Sequence, residues 1–327
     1  MKLFEDKYIV ITGGAGFIGS ALITHLNELG INNIVVVDNL GTDEKWQNLV
    51  GKRFLDILHK DQLFEWLVGR ESDILAFIHL GACCSTVEKD ANYLLENNYR
   101  YSVRLAEYAL AHEIRLIYAS SAATYGDGQL GFSDSHESLT QYRPLNMYGY
   151  SKHLFDLWLA EQNLLDKATG LKFFNVFGPN EYHKGRMASA LMKMVPDALN
   201  NGVIQLFKSS DPNHFGDGDQ VRDFIYVKDA VRMVAEFLIN DKTGIYNIGL
   251  GEPHTWNQLA AGVIKAVDRP VTIQYIDMPP DLVGKYQNYT LADMSKAQKA
   301  GLSRPKYTLE GAVIDYVQNY IIPRKYW

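Results

Sequence analysis

Tyr148 and Lys152 stand four residues apart in the run Asn146-Met147-Tyr148-Gly149-Tyr150-Ser151-Lys152. If this stretch opens a helix, both side chains lie on one face, and an ammonium held beside a phenol favours the phenolate. The phenol, whose ordinary pKa is about 10, is then drawn toward neutrality, where it can take a proton from an alcohol. In a chain with 20 tyrosines the pair alone is more often a helix-surface contact, so its weight depends on its companions.

The strongest companion lies at the start of the chain. The apolar run Tyr8-Ile9-Val10-Ile11-Thr12 leads into Gly13-Gly14-Ala15-Gly16-Phe17-Ile18-Gly19 and a helical pattern through Leu29. A lone glycine triplet is explained by a plain tight turn, but strand, glycine turn and helix in this order make a dinucleotide site. Gly13 permits the turn, Gly16 admits a pyrophosphate to the backbone, and Gly19 lets the helix lie close on the strand. Free N–H groups at the helix start meet the anion. A second strand, Ile34-Val35-Val36-Val37, ends at Asp38, about 20 residues past the last glycine, where a ribose-binding carboxylate is expected.

These residues need a scaffold, and the chain alternates apolar strands with helical patterns. Asp73–His79 reads as a strand, Tyr93 to His112 as a helix, and Ile114–Ala119 as the fifth strand, which runs into Ser120-Ser121-Ala122-Ala123-Thr124-Tyr125-Gly126. Alternation of this kind predicts an α/β, Rossmann-type, doubly wound parallel sheet, with ligands at the carboxyl ends of the strands. Leu171–Asn175 reads as a sixth strand, after which Val176-Phe177-Gly178-Pro179 turns out of the sheet. Beyond it, helices at 187–200 and 231–238, strands at 222–227, 244–249 and 271–276, and a polar loop at 211–219 predict a smaller mixed α/β lobe. The expected division is a dinucleotide domain at 1–175 with about 223–249, and a substrate domain at 176–222 and 250–327. A lobe lying over a nucleotide site leaves a cleft for substrate.

Composition sets limits. The 327 residues are 47% apolar, enough for a large core, and 32 basic against 38 acidic residues leave a net charge of −6 with no long basic tract. A nucleic-acid partner is therefore not expected. The apolar stretches are strand-sized and Met1–Lys7 lacks the apolar core of a signal peptide, so a cytoplasmic protein without a membrane partner is expected. The only cysteines, Cys83 and Cys84, are adjacent, which disfavours an unstrained disulfide and offers no metal framework. They read as small packing residues near a cofactor.

Taken together, the glycine turn, Ser121, Tyr148 and Lys152 resemble the extended short-chain dehydrogenase/reductases that act on nucleotide-activated sugars. Within that group, Gly81-Ala82-Cys83, Glu96-Asn97-Asn98-Tyr99, Tyr118 to Gly126, Asn146 to Lys152 and His183-Lys184-Gly185 resemble the ADP-L-glycero-D-manno-heptose 6-epimerases. The resemblance implies oxidation of a C6'' hydroxyl by a bound nicotinamide cofactor, return of the hydride to the opposite face of the transient ketone, and a place in heptose supply for lipopolysaccharide. It implies two acid/base groups, Tyr148 and Lys184, with Ser121 on the reacting oxygen and Lys152 on the nicotinamide ribose. Gly13, Gly16, Phe17, Ile18, Gly19, Asp38, Asn39, Lys45, Lys60, Leu80, Gly81, Ala82, Cys83, Cys84, Asn97, Tyr148, Lys152, Val176 and Lys184 would hold the cofactor. Ser121, Asn175, Arg186, Lys193, Phe207, Arg222 and Tyr286 would meet the nucleotide sugar, Arg222 because a guanidinium fork suits a diphosphate. A homo-oligomer is also implied.

Local chemistry and resemblance part at Asp38. A carboxylate there repels a 2'-phosphate and favours NAD, whereas the resemblance pairs it with Asn39, Lys45 and Lys60 and implies NADP. His183 has an ordinary pKa near neutrality, but one histidine among nine is more often a structural hydrogen-bonder. Two departures bear on the sugar: the 208–221 loop is longer than is familiar, and Arg186 replaces a small serine. Ala122 and Ala123 stand where dehydratases place Asp-Glu, which disfavours elimination. A 4-epimerase needs only Ser121, Tyr148 and Lys152, so Lys184 discriminates it. A non-catalytic NADP-binding sensor is the reading from a different class.

Overall fold

The computed structural model describes residues 7–279 and 287–327; Tyr286 lies outside them. Seven strands form the main sheet: β1 (Tyr8–Thr12), β2 (Ile34–Asp38), β3 (Asp56–His59), β4 (Ile74–His79), β5 (Arg115–Ser121), β6 (Ala168–Phe173) and β7 (Gly244–Ile248). All pair in parallel, in the spatial order β7-β6-β5-β4-β1-β2-β3. This is the doubly wound α/β sheet expected from the alternating pattern. The order reverses between β1 and β4, and such a switch point opens a crevice at the strands' carboxyl ends.

The Val/Ile runs are continuous because both faces of the sheet are covered, as parallel sheets require. Ile9, Ile11, Val36, Ile78 and Ile117 face a core shared with helix α1 (Phe17–Glu28) and the Val227–Glu236 helix. Val10, Val35, Val37, Phe77 and Leu116 face the opposite core, with Leu105 and Ala109 of helix α2 (Tyr101–Ala111) and Phe155 and Leu159 of helix α3 (Met147–Glu161). The edge strand β3 is largely exposed, and its Asp-Ile-Leu-His sequence has no apolar run to announce it.

Several boundaries differ from the sequence reading for local reasons. The sixth strand starts at Ala168 and stops at Phe173; Phe174 N–H then bonds Ile248 and Asn175 N–H bonds Asp223, carrying the chain into a two-stranded pairing of Asn175–Phe177 with Phe224–Tyr226. The strand expected at 222–227 is broken at Asp223, whose buried carboxylate accepts the N–H groups of Leu250, Gly251 and Ala292. The remaining residues add two more small pairings, 203–207 with 272–276 and 221–222 with 254–255, and helices at Leu191–Asn201, Trp256–Val267 and Leu309–Tyr316. Among the described residues no helix is long and apolar enough to cross a membrane.

Asn247 ties the outer strand β7 to the loops beside it. Fully buried, it receives the Tyr125 hydroxyl at 2.6 Å and donates to the carbonyls of Phe132 and Asp293 at 2.8 and 3.0 Å. Replacing it by leucine strands those partners, each unmet group costing about 1–3 kcal/mol. We expect Asn247→Leu to lower the urea midpoint of unfolding clearly, and an unchanged midpoint would refute this role.

Candidate functional site

A cavity of about 480 Å³ opens at the switch point, between the glycine turn, the loop after β4, the start of α3 and the turn at Tyr182–Met187. Gly19 shows why the turn needs its glycines. A Cβ there would stand 2.2 Å from the Gly13 carbonyl oxygen, because α1 packs directly on the turn. The first turn of α1 holds no acidic residue, so its free N–H groups present an unopposed positive end to the cavity. The turn therefore fits a dinucleotide pyrophosphate.

At one end of the cavity Asp38 accepts the Ala15 N–H at 2.9 Å and the Asn39 N–H at 2.7 Å, and pairs with Lys45 at 2.8 Å. Lys45 also donates to the Asn39 carbonyl, and Lys60, paired with Asp61, lines the same wall. The acid expected to choose the cofactor is thus already matched by one of the two expected lysines.

At the other end, Asn146 caps α3 by accepting the Gly149 N–H at 2.8 Å. Gly149 lies so close to the turn after β5 that a Cβ would come 2.8 Å from the Ala123 carbonyl oxygen. This close approach brings the Tyr148 phenol under the influence of Ser121, whose hydroxyl accepts the Ala123 N–H at 3.1 Å. Ser121 thus caps the turn and also acts on the phenol. Burial pushes the Tyr148 phenol up to about 12, with Ser121 the first influence opposing it. The expected lowering by Lys152 does not dominate in the protein alone: burial outweighs every charge near the phenol. Lys152 is 3% exposed and is pushed down to about 8, first by burial, with Asp156 and Cys84 opposing.

Two polar residues that the sequence reading left without a role shape the floor of the cavity. His79, fully buried at the end of β4, bonds Thr12 at 2.6 Å and Ser102 at 2.9 Å, and burial aided by the Lys152 charge holds it neutral, down to about 3. Asn98, also buried, grips both backbone groups of Cys83 and donates to Ser151 of α3 at 2.9 Å. It sits in a π-helical stretch, Leu95–Arg100, that also places Asn97 on the wall. Asn98 belongs to the run Glu96-Asn97-Asn98-Tyr99, and nothing in that run signals that its amide is buried against the backbone of Cys83.

Lys184 and His183 enter from the far side on the Tyr182–Met187 turn. Lys184 lies over the Phe17 ring, 5.0 Å from its centre, and His183 bonds Asn48 at 3.1 Å. The structure thus places Gly13, Gly16, Phe17, Ile18, Gly19, Asp38, Asn39, Lys45, Lys60, Leu80 to Cys84, Asn97, Tyr148, Lys152 and Lys184 around one space. Ser121 itself is not among the lining residues, although its neighbour Ser120 is. Asn175, Val176, Arg186, Lys193, Phe207 and Arg222 do not line this cavity, nor do residues of the 208–221 loop. Arg222 is buried, donates to the Val221 carbonyl and stacks near Trp256, while Asn175, Arg186 and Lys193 are exposed.

The sequence pattern of the NAD dependent epimerase/dehydratase family matches residues 9–249. The ADP-L-glycero-D-manno-heptose-6-epimerase of Nitratidesulfovibrio vulgaris is 50% identical over 315 residues, covering 95% of this chain and 97% of that protein. Among solved structures, the ADP-L-glycero-D-manno-heptose-6-epimerase of Helicobacter pylori is 25% identical with a TM-score of 0.79, covering 97% of this chain and 96% of that one. A UDP-N-acetylglucosamine 4-epimerase of Methanobrevibacter ruminantium is 26% identical, also with a TM-score of 0.79, covering 98% and 99%.

Since α1 cannot accept a side chain at Gly19 without moving off the turn, Gly19→Ala should weaken dinucleotide binding by about tenfold or more, equivalent to ~1.4 kcal/mol. Calorimetric titration with the dinucleotide measures this, and wild-type affinity in the variant would show that the turn does not form the cradle.

Proposed function

The chain belongs to the NAD dependent epimerase/dehydratase family, and we propose that it converts ADP-D-glycero-β-D-manno-heptose to its L-glycero epimer at C6'', in the supply of heptose for lipopolysaccharide core. The observation that carries this reading is the 50% identity to an ADP-L-glycero-D-manno-heptose-6-epimerase along nearly the whole of both chains. Fold alone does not choose the carbon, because a 4-epimerase matches with the same TM-score as a heptose epimerase. The enzyme is an epimerase that uses a nicotinamide dinucleotide, and the reading takes it as a cytoplasmic homo-oligomer whose 176–222 and 250–327 segments receive the sugar.

Oxidised nicotinamide, when bound, supplies a hydride acceptor at C6'' and a positive charge in the cavity. Tyr148 takes the hydroxyl proton, and a phenol lifted to about 12 by burial needs that positive charge together with Lys152 to do so. Ser121 holds the oxygen at which the proton is exchanged. Lys184 serves the opposite orientation of the sugar, giving the proton back at the ketone oxygen when the other face is reduced. Two such groups suit this inversion, because the ketone oxygen lies in different places when hydride leaves one face of C6'' and returns to the other, while the protein's groups stay put. A 4-epimerase scheme runs on Ser121, Tyr148 and Lys152 and leaves Lys184 idle.

NADP is the form we assign. Lys45 meets the Asp38 carboxylate, and Lys60, paired with Asp61, stands on the same wall beside Asp43, so a 2'-phosphate would find two ammonium groups there, each beside an acid it already matches.

Two measurements test these assignments. Proton NMR of ADP-D-glycero-D-manno-heptose incubated with the protein should show the L-glycero epimer accumulating, and Lys184→Ala should slow this by about 10² or more. Wild-type turnover in the variant would remove the second base. For the cofactor, Lys45→Ala exposes Asp38 to the phosphate and should weaken NADP by about tenfold or more while leaving NAD little changed. An unaltered NADP-to-NAD ratio of dissociation constants would overturn the NADP assignment.

A further inference from the structure

Lys172 projects from β6 into the protein and is 1% exposed. Its ammonium lies 3.4 Å from Asp156 Oδ2, donates to Thr124 Oγ1 at 2.7 Å, and sits 4.5 Å from the centre of the Tyr125 ring. Asp156, fully buried, also accepts the Tyr118 hydroxyl at 3.0 Å and the Ser120 hydroxyl at 2.7 Å. Thr124 in turn donates to the Ser121 carbonyl at 2.7 Å. Ser121 is therefore held from two sides, by its neighbour Ser120 on Asp156 and by its own carbonyl on the Thr124–Lys172 chain. Asp156 belongs to α3, four residues beyond Lys152 and eight beyond Tyr148, so all three share one helix face.

We infer that Asp156 and Lys172 are positioning residues for the reaction, the pair registering Ser121 against Tyr148 and Asp156 keeping the buried Lys152 ammonium charged. The inference rests on the epimerase reading for what Ser121, Tyr148 and Lys152 do, and on the structure for how they are held. Lys152 faces Asp156 on its own helix, Cys84 on the loop after β4, and the neutral His79 on β4. Burial lowers it to about 8, and the Asp156 charge is the larger of the two opposing influences. Asp156 itself is faced by Tyr118 on β5, Lys172 on β6, Tyr125 and His136 on neighbouring turns, and His153 on α3. Both histidines are pulled down by burial, so near neutral pH the cations gathered on this carboxylate are the two lysines. Lys172 is also lowered by burial and raised by Asp156 and Asp134.

Charge and register can be tested separately. In Asp156→Asn/Lys172→Met the ion pair is replaced by neutral groups of similar size, which avoids leaving either charge unpaired in the interior. Lys152 is then followed by NMR titration of protein labelled with ¹³C-lysine, its signal assigned by loss in Lys152→Arg. We expect it to titrate lower by about one unit or more than in the wild type, since an opposite charge one helical turn away is gone. The alkaline limb of kcat should move to lower pH with it, because Lys152 is charged only below its pKa, while KM for the nucleotide sugar changes little. An unmoved Lys152 titration in the folded variant overturns the charge role. Lys172→Met alone leaves Asp156 its donors from Tyr118 and Ser120, and should lower kcat by about tenfold through the misplaced Ser121 without moving the alkaline limb to lower pH. Wild-type kcat there overturns the register role. A wild-type protein that leaves the heptose nucleotide unchanged sinks the epimerase reading, and the lysine titration still decides this inference.

Discussion

Among the described residues two lysine side chains are buried, Lys152 and Lys172, and one buried carboxylate, Asp156, acts on both. Removing an ammonium from water costs several kcal/mol unless a counter-charge and hydrogen bonds meet it. That penalty makes the arrangement stringent. Helix α3 cannot slide along the sheet without parting Asp156 from Lys172 of β6 and from Tyr118 and Ser120 of β5. The groups to which we assign the reaction ride on these same elements: Tyr148 and Lys152 on α3, Ser121 at the end of β5. The buried charges beneath them add to the close approach at Gly149 in holding α3 against the end of β5.

The rest of the cavity floor is fixed in the same manner, by buried polar groups that bind backbone. Asn98 uses its whole amide on Cys83 and Ser151, joining the loop after β4 to α3. His79 joins β4 to β1 through Thr12, whose hydroxyl also receives the Gly81 N–H. A neutral His79 matters here, since a second cation beside Lys152 would push that lysine further toward losing its proton. The site is a set of loops at the carboxyl edge of a sheet, and loops hold position only where their backbone groups have fixed partners.

This explains which parts were legible in the amino-acid order and which were not. The glycine turn, Asp38 at the end of β2, and the Tyr148–Lys152 spacing are local patterns, and the structure brings them to one cavity. Much of the main sheet was legible too, because β1, β2 and β4 are apolar runs, whereas β3 is exposed and β6 and β7 carry Lys172 and Asn247. Asp156 and Lys172 carry no such mark. A charged residue within an amphipathic helix or a strand ordinarily reads as solvent-facing, and only the folded chain shows these two buried against each other across 16 positions of sequence. Asn247 and Asp223 escaped notice for the same reason: their partners are backbone groups distant in the chain. The four-residue spacing of Lys152 from Tyr148 does not carry the phenol's acidity, because burial outweighs charge there and burial is not a property of spacing.

On the proposed chemistry, the second acid/base group must reach the reacting oxygen from a side that Tyr148 does not occupy. The turn bearing Lys184 is anchored to the C-terminal segment. Fully buried Glu181 accepts the Ser189 N–H and hydroxyl and the Tyr316 hydroxyl of the Leu309–Tyr316 helix, and its carboxyl is raised by burial and lowered in part by Lys184. Neighbouring Tyr182 donates to the carbonyls of Tyr320 and Lys325, so the two residues that lead into Lys184 are moored to the C-terminal segment, while Ser189 beyond it returns to Glu181. Lys184 itself lies over Phe17, the first residue of α1, where the nucleotide cradle begins. On this proposal one acid/base group is carried by α3 and the other by the Tyr182–Met187 turn, and both line the same cavity. A sugar that turns over between two half-reactions would meet a proton-exchanging group in either orientation, and neither group would have to move.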